Sequence, residues 1–431
     1  MEKGFDYGQA LAEAGRCLLC HNAPCSKNCP AQTRPDEFIR KLRLRNITGA
    51  IRTVKENNIL GGACGVLCPT ARLCEKECTA ARLDRAIRIG KIQRFLVEHS
   101  RKIGFKPFAC ARFELPRPVN GKVAVIGAGP AGLACAAELA KHGYRATVFE
   151  ERAEPGGVLR YGIPGFRLTR EFLKNELEDI KSLGVDFRCS RKITGADGAE
   201  KLLRKGFRAV FIGIGLWAPV RPPFSVGAGS NIIASVQFLE LCRGGRLARL
   251  RKLCGGKSVA VIGGGSVAVD CARTALRLGA KDVYLVYRRS FSQMPAEEAE
   301  RLEALDEGIH FLVLNQPTGY ARDARGNLTG VKLVRTRLSG KDSSGRRKPA
   351  DIGGSDWILA VDSCIEAVGN KPEDKSLSLG RLITADPDTG LTSKAGIFAG
   401  GDIVRGPGTV VQAVADGKAA AKAIMKYLNR A

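Results

Sequence analysis

The sequence has 431 residues, of which 44% are hydrophobic and 26% charged, and 69 Lys and Arg against 43 Asp and Glu give a net charge of +26. This composition is typical of a globular protein of several domains and excludes a mainly disordered chain. The charge favours anionic ligands or an acidic protein partner, but no helix-turn-helix, zinc-finger or RNA-binding signature accompanies it, so we expect no nucleic-acid binding.

The N-terminal residues lack the basic stretch and apolar run of a secretory signal. The most apolar stretch, 123–139, is interrupted by Gly127, Gly129, Pro130 and Gly132. Because such interruptions are incompatible with an uninterrupted spanning helix, we expect no membrane segment. Together these features predict a cytoplasmic protein.

Eight of the 15 cysteines lie in two closely spaced groups. They are Cys17-x2-Cys20-x4-Cys25-x3-Cys29-Pro30 and Cys64-x3-Cys68-Pro69-x4-Cys74-x3-Cys78. Such spacing with Cys-Pro endings resembles ferredoxin-type ligation, and eight thiolates suffice for two four-iron clusters. Zinc is the alternative, since closely spaced cysteines also form tetrahedral sites. The isolated cysteines are predicted to be small core residues: Cys110, Cys135, Cys189, Cys242, Cys254, Cys271 and Cys364.

The surroundings of these cysteines are predicted to be helical. Residues 36–41 and 48–56 are predicted helices, and the spacing of Thr33 and Asp36 suggests a capping box. No strand-like alternation precedes residue 120. We therefore predict a helical domain over 1–105, followed by a proline-rich connection over 107–118.

A strand–glycine turn–helix unit follows, with the turn Gly127-Ala128-Gly129-Pro130-Ala131-Gly132. The three glycines permit a tight turn, close approach of the backbone to a pyrophosphate, and close packing of helix on strand. Glu150 ends the second strand, where a carboxylate accepts hydrogen bonds from ribose hydroxyls. This unit predicts a dinucleotide site.

A second copy has the turn Gly263-Gly264-Gly265-Ser266-Val267-Ala268. Its second strand ends in Arg288 and Arg289 rather than in an acid. Paired guanidinium groups suit a 2′-phosphate, which favours NADPH over NADH. The alternative is that both arginines are solvated surface charges.

Two dinucleotide sites in one chain fit a flavin and a nicotinamide held for hydride transfer, as in disulfide reductase-like flavoproteins. The second nucleotide unit carries Cys271 but no Cys-x-x-Cys pair, so electrons should leave through the N-terminal cysteines. The predicted fold class is α/β with an N-terminal α-helical iron–sulfur domain and two Rossmann-like nucleotide-binding domains. The predicted domains are a cluster domain over 1–105, an FAD domain over 119–225 and 366–431, and an NADPH domain over 226–365.

Several motifs carry a family resemblance. They are the run Arg16-Cys-Leu-Leu-Cys-His-Asn-Ala-Pro-Cys-Ser-Lys-Asn-Cys-Pro-Ala31, Cys68-Pro-Thr, Ile89-Gly-Lys-Ile-Gln93-Arg-Phe95, the turn 127–132, and Ala399-Gly-Gly-Asp402. With these motifs the chain resembles the NAD(P)H-oxidising part of dihydropyrimidine dehydrogenase, in particular the stand-alone PreT subunits of bacteria. The small subunits of glutamate synthase are more distant relatives.

The resemblance implies specific ligands. One 4Fe-4S cluster is expected on Cys17, Cys20, Cys25 and Cys78, and a second on Cys29, Cys68, Cys74 and Gln93, which leaves Cys64 as a bystander. FAD contacts are expected from Gly127, Ala128, Gly129, Pro130, Ala131, Gly132, Glu150, Gly156, Gly157, Val158, Arg167, Gly401, Asp402 and Thr409. Nicotinamide nucleotide contacts are expected from Gly264, Gly265, Ser266, Val267, Arg288, Arg289, Ala367, Val368 and Gly369.

The resemblance also implies a function. NADPH gives hydride to FAD, and electrons pass through the clusters to an FMN-containing, PreA-like catalytic partner that reduces uracil or thymine, with no catalytic residue beyond the cofactors. The loop after Phe291 is shorter than in the long eukaryotic enzymes, which removes an expected phosphate-binding arginine and leaves NAD(H) possible. The alternatives are a glutamate synthase small (beta) subunit or another NADPH-dependent electron donor, and a zinc-bearing basic scaffold without enzymatic activity.

Overall fold

The computed structural model describes residues 4–108, 121–225, 231–342, 345–373 and 377–429. Its first segment is helical, as predicted, and within residues 4–108 it contains no strand. The helices are α1 (Tyr7–Gly15), α2 (Pro24–Lys27), α3 (Pro35–Arg43), α4 (Ile47–Asn57), α5 (Gly61–Leu67) and α6 (Ile89–Lys102). The two predicted helices are confirmed as parts of α3 and α4. Most of the predicted proline-rich connection lies outside the described residues.

The capping box predicted at the start of α3 is wrong. Arg34 precedes the helix in a left-handed conformation, with φ of 63°, and no side chain caps it. The hydroxyl of Thr33 accepts a hydrogen bond from the side-chain amide of Asn58 at 3.2 Å, and Asp36 accepts one from Ser26. Both polar side chains are therefore used in contacts between segments, which local spacing does not reveal.

The next segment alternates strands and helices. Its elements are β1 (Lys122–Ile126), α7 (Pro130–Lys141), β2 (Arg145–Phe149), α8 (Val158–Tyr161), α9 (Arg170–Ser182), β3 (Asp186–Arg188), α10 (Gly198–Arg204) and β4 (Ala209–Ile212). The last four residues of β1 are buried, and so are the first eleven residues of α7. Small side chains on α7 allow this burial, because they let the helix pack closely on the sheet.

The second nucleotide unit repeats this order and adds antiparallel strands. Its helices are α11 (Ser235–Arg243), α12 (Leu247–Cys254), α13 (Ser266–Arg277) and α14 (Glu298–Asp306). Its strands are β5 (Ala218–Pro219), β6 (Ile232–Ala234), β7 (Ser258–Ile262), β8 (Asp282–Tyr287), β9 (His310–Val313), β10 (Asn315–Arg322), β11 (Leu328–Lys341), β12 (Arg347–Asp351), β13 (Trp357–Ala360), β14 (Ser363–Glu366) and β15 (Asn370–Lys371).

The chain then returns to the first sheet through β16 (Ile397–Ala399), α15 (Asp402–Arg405) and α16 (Val410–Leu428). The first sheet is parallel, with strand order β16-β4-β1-β2-β3. The second parallel sheet has the order β6-β14-β7-β8-β9. Strands β10, β11, β12 and β13 form a separate antiparallel sheet, and β5 pairs with β15.

The chain divides into two compact units. The first comprises Met1–Arg160, Gly165–Leu216 and Pro372–Ala431, and the second comprises Tyr161–Pro164 and Trp217–Lys371. The boundaries at 216/217 and 371/372 lie nine and six residues from those predicted at 225/226 and 365/366, and the helical segment belongs to the same unit as the first sheet. The predicted domain limits therefore stay predictions. Among the described residues, no helix has the length and apolar character required to cross a membrane.

Candidate functional site

The first glycine turn lies between β1 and α7. Gly127 has φ of 96°, and a Cβ there would lie 2.6 Å from the carbonyl oxygen of Gly213. A Cβ on Gly132 would lie 2.0 Å from the carbonyl oxygen of Gly127, so close packing of helix on strand requires this glycine. At Gly129 the nearest atom would be 3.9 Å away, which leaves room for a ligand beside the backbone. The turn therefore fits a dinucleotide phosphate.

The residues expected to contact FAD after β2 lie against this turn. The carboxylate of Glu150 accepts the backbone N–H of Ala128 at 2.8 Å, and burial raises the pKa of Glu150. The N–H of Gly156 donates to the carbonyl of Ala128 at 2.9 Å. A Cβ on Gly157 would lie 2.6 Å from the Cα of Gly129. The structure thus brings these residues together around the turn.

The C-terminal segment reaches the same place. Gly401 has φ of 78°, and a Cβ there would lie 3.0 Å from the Cβ of Ala131. The N–H of Gly408 donates to the carboxylate of Asp402 at 3.2 Å, and burial raises the pKa of Asp402 to about 6. Thr409 caps α16 with its side chain. Two segments distant in sequence therefore meet at one nucleotide turn.

Three residues of the expected FAD set remain, one in the turn itself and two outside it. Pro130 is the first residue of α7, where its fixed φ suits a helix start. Val158 is exposed at the start of α8, and Arg167 is half-buried. The roles of Val158 and Arg167 still rest on the family resemblance.

The second turn has the same construction. Gly263 has φ of 148°, and a Cβ there would lie 2.3 Å from the carbonyl oxygen of Ala367. A Cβ on Gly264 would lie 2.4 Å from the ring of Tyr287, whereas Gly265 has open space beside it. The helix α13 begins at Ser266, so its N-terminal amides face this space. The exposed side chains beside the turn are Val267 and Val368, and Gly369 follows with φ of 118°.

The two arginines after β8 have different environments. Arg289 is buried, and its guanidinium contacts the carboxylate of Asp342 at 2.7 Å and the carbonyl of Arg347 at 2.8 Å. Arg288 is exposed, and its carbonyl accepts the hydroxyl of Thr336 at 2.8 Å. The predicted guanidinium pair is therefore split. Arg288 is the candidate for a 2′-phosphate, and Arg289 holds the strands β11 and β12.

The residues expected to bind the second cluster line one cavity of about 360 Å³, a volume that includes space open to solvent. Cys29, Cys68, Cys74 and Gln93 all contribute, and so does Cys64. A hydrogen bond with Cys64, burial and the neighbouring thiols Cys74 and Cys29 raise the pKa of Cys68. Thiols that are clustered and buried in this way can bind an iron–sulfur cluster, because its iron ions stabilise the thiolate form.

Gln93 was nominated only by the resemblance, and the structure shows why it is suited to the site. Its side chain is buried on α6, and the amide nitrogen donates to the carbonyl of Gly61. This hydrogen bond leaves the amide oxygen as the atom for a ligand. Cys64 lies on the same cavity wall, so the cavity alone does not distinguish a Gln93 ligand from a Cys64 ligand.

The residues expected to bind the first cluster are neighbours too. Burial raises the pKa of Cys17, and the nearby thiols Cys20 and Cys78 raise it further. Burial, with Cys17 and Cys78 nearby, raises the pKa of Cys25 to about 11. The sulfur of Cys78 accepts the N–H of Ile87 at 3.4 Å, a contact of the type that tunes cluster potentials. The described residues contain no group of three Cys, His, Asp or Glu arranged for a single metal ion.

The isolated cysteines are only partly as predicted. Cys135, Cys254, Cys271 and Cys364 are buried in the core. Cys242 is half-buried and packs against the core of the second unit. Cys189 is half-buried, so the prediction of a core position is wrong for it. Cys110 lies outside the described residues.

Sequence reasoning missed a buried ionic network in the first unit. Lys55 is fully buried, and its ammonium contacts Glu176 at 2.9 Å and Asp179 at 2.8 Å. The carboxylate of Glu176 also accepts the N–H groups of Gly62 and Ala63, both at 2.8 Å. These two amides belong to the first turn of α5, the helix that contains Cys64 and ends just before Cys68. The network thus fixes the position of α5 on α9.

Two dinucleotide turns on parallel sheets, preceded by a cysteine-lined helical segment, define a flavoprotein oxidoreductase with an iron–sulfur domain. Residues 1–105 match the family model described as dihydropyrimidine dehydrogenase domain II, 4Fe-4S cluster. Residues 121–417 match the pyridine nucleotide-disulphide oxidoreductase model. The chain belongs to the pyridine nucleotide-disulphide oxidoreductase family, in the group that contains PreT and the glutamate synthase small chain.

Several relatives match over nearly their full length. The chain is 37% identical to the NAD-dependent dihydropyrimidine dehydrogenase subunit PreT of Escherichia coli, over 98% of this chain and 95% of that protein. It is 35% identical to the glutamate synthase [NADPH] small chain of E. coli, over 99% of this chain and 93% of that protein. The NADP(+)-dependent formate dehydrogenase subunit beta of Moorella thermoacetica is 37% identical over 95% of this chain, which spans only 60% of that longer protein.

Among solved structures, FprA from Mycobacterium tuberculosis in complex with NADPH aligns with a TM-score of 0.63 at 19% identity, over 73% of this chain and 85% of that chain. This similarity shows the fold. The predicted fold class is confirmed, and the protein is an NAD(P)H-dependent oxidoreductase that uses FAD and 4Fe-4S chemistry. The scaffold alternative is therefore not supported. The number of clusters and their individual ligands stay predictions.

Proposed function

We propose that this chain oxidises NADPH and delivers the electrons one at a time to an FMN-containing, PreA-like partner that reduces uracil or thymine. When bound, FAD supplies a ring that accepts hydride and releases single electrons, and two four-iron clusters carry them onward. The ligands we assign are Cys17, Cys20, Cys25 and Cys78 for the first cluster, and Cys29, Cys68, Cys74 and Gln93 for the second.

One observation carries this proposal. The cavity lined by Cys29, Cys68, Cys74 and Gln93 is also lined by Val411. Val411 is the second residue of α16, and the N-cap of that helix, Thr409, is an expected flavin contact. The segment expected to contact FAD therefore forms part of the wall of the cavity expected to hold the second cluster. Such adjacency within one compact unit is what electron transfer from flavin to cluster requires.

The chain itself supplies binding and orientation. The turns at 127–132 and 263–268 offer backbone amides at helix N-termini to the two pyrophosphates. Arg288 is exposed beside the second turn and can contact a 2′-phosphate, which supports NADPH as the donor. We retain the cytoplasm as the expected location, because a reducing compartment keeps cluster ligands as free thiols.

The final acceptor is tested with purified partners. The chain is reconstituted anaerobically with an FMN-containing PreA-like subunit, and NADPH oxidation is followed with and without uracil or thymine. Pyrimidine-dependent oxidation supports the proposal. NADPH oxidation that instead requires a glutamate synthase large subunit with glutamine and 2-oxoglutarate would support the alternative function, a glutamate synthase small subunit. The 35% identity to the small chain favours that alternative.

A further inference from the structure

The part of the chain around Cys17 has an unusual surface. The two most exposed large hydrophobic side chains of the described residues are Leu83, 76% exposed, and Leu44, 73% exposed. Leu18 and Leu19 are exposed as well. Burial of such side chains is normally favourable, and a concentration of them at one place marks an interaction site. We call these four residues the leucine patch.

Four contacts bring the segments of the leucine patch together. Arg43, which precedes Leu44, donates to the carbonyl of Cys17 at 2.9 Å. Arg16 contacts Asp84 and the carbonyl of Arg85, both at 2.8 Å, and so fixes the segment that carries Leu83. The thiol of Cys20 and the hydroxyl of Thr79 lie 3.4 Å apart. These contacts hold the segments that carry the four leucines against the segment of Cys17 and Cys20, two expected ligands of the first cluster.

The backbone conformation supports a functional role for this surface. Leu19 has φ of 53°, a left-handed conformation that is rare for a residue other than glycine, asparagine or aspartate. Its side chain is exposed, so burial does not compensate for this conformation. Unfavourable backbone conformations of this kind concentrate at functional sites.

The charge around the leucine patch is positive. Exposed arginines flank it at 43, 45, 82 and 85. Arg85 pairs with Glu13, and Arg16 pairs with Asp84, so these two acids offset only part of the positive charge. An apolar centre with a charged rim is the composition of a protein–protein interface. A basic rim complements an acidic surface and accelerates encounter with it.

We infer that the leucine patch is the docking surface for an acidic protein that carries a one-electron acceptor close to its own surface. The inference rests on the proposed function and specifies where its electrons leave. Oxidation of NADPH yields NADP⁺, one proton and two electrons, and the electrons cross this surface in two successive transfers. The expected ligands Cys17, Cys20, Cys25 and Cys78 are only half-buried, so an acceptor docked on this surface lies close to the first cluster.

The test compares a large and a small acceptor. The double variant Leu44→Asp/Leu83→Asp places acids in the patch at exposed positions, and Leu302→Asp, at a residue 49% exposed on α14, is the matched control. The holoenzyme is assayed with NADPH and either ferricyanide or flavodoxin, a small acidic FMN protein. We expect the double variant to lower kcat/KM for flavodoxin by about tenfold or more, with ferricyanide reduction within about twofold of the wild type. Added salt should slow flavodoxin reduction by the wild type.

Each other result counts against the inference. Equal flavodoxin rates in the wild type and double variant, or no flavodoxin reduction by a wild type that reduces ferricyanide, overturn it. So does a wild-type dimer that the double variant dissociates, because a second copy of the chain would then cover the patch. A wild type that reduces neither acceptor with NADPH refutes the proposed function itself.

Discussion

Replacement of Lys55 by Met should strongly destabilise the unit that holds the clusters and the flavin. The ammonium of Lys55 and the carboxylate of Glu176 are both fully buried, 2.9 Å apart. Removal of one partner of a buried ion pair costs about 3–5 kcal/mol, because the remaining charge stays buried without compensation. The carboxylates left behind would be those of Glu176 and Asp179.

The structure indicates the lower end of this range. Asp179 keeps its contact with Arg101 at 2.6 Å, and Glu176 keeps the amides of Gly62 and Ala63. The Met side chain also fills most of the volume. We therefore expect a loss of about 3 kcal/mol, which corresponds to a fall in Tm of about 5 °C for a unit of this size.

The assay is thermal unfolding of the holoprotein, followed by flavin fluorescence and by the visible absorbance of the clusters. Lys174→Met on α9 is the control, since Lys174 is 72% exposed and its contact with Glu178, at 3.9 Å, lies on the surface. The double variant Lys55→Met/Glu176→Gln should recover part of the stability, because it removes one uncompensated carboxylate. A Lys55→Met protein as stable as the Lys174→Met protein would refute the reasoning.

This network also predicts a pH dependence. Burial opposes the charge of Lys55, but the carboxylates of Asp179 and Glu176 outweigh it and raise the pKa of Lys55. The stabilisation is therefore fully present below the unfolded lysine pKa, near 10.4, and is lost as the pH rises through the higher folded pKa. The Tm difference between the wild type and Lys55→Met should accordingly be constant at neutral pH and shrink in strong alkali.

Three other outcomes follow from the site. Iron analysis should find about four fewer iron atoms per chain in Cys68→Ser than in the wild type, and no loss of iron in Cys64→Ser. Equal losses of iron in the two variants would show that Cys64 is a ligand. Arg288→Ala should raise the KM for NADPH by about tenfold and leave the KM for NADH nearly unchanged. Arg289→Ala should change the KM for both coenzymes equally. Steady-state kinetics with NADPH and with NADH measure both effects. Burial raises the pKa of Asp402 to about 6, so ionisation of its carboxyl group destabilises the flavin-free protein as the pH rises from about 4 to 6. The flavin-free Asp402→Asn variant should therefore have a higher Tm than the wild type at pH 8. At pH 3.5 the two proteins should have the same Tm.

Local patterns predicted the two glycine turns and the elements that flank them. The turns at 127–132 and 263–268 depend on positive φ angles at Gly127 and Gly263 and on close approach of backbone atoms, and glycine satisfies both requirements. The same holds for the strands and helices on either side, whose apolar runs are continuous. The order strand, turn, helix and strand could therefore be derived from spacing alone.

Contacts between distant segments were not predictable in this way. Lys55 and Glu176 are 121 residues apart, and nothing in the local sequence of either indicates burial. Arg289 has the position expected of a phosphate ligand, yet Asp342, 53 residues further on, binds its guanidinium. Local spacing is silent on such pairs because they depend on which surfaces meet in the folded chain.

The helix α16 has a consequence for how the protein is made. Val411 lines the cavity of the second cluster, and the ammonium of Lys418 donates to the carbonyls of Ala31 and Asn57. A ribosome therefore completes the cysteine-bearing segment long before it synthesises the helix that covers it. A nascent chain therefore lacks this wall of the cavity, and the two lysine contacts with the helical segment, until α16 has been synthesised.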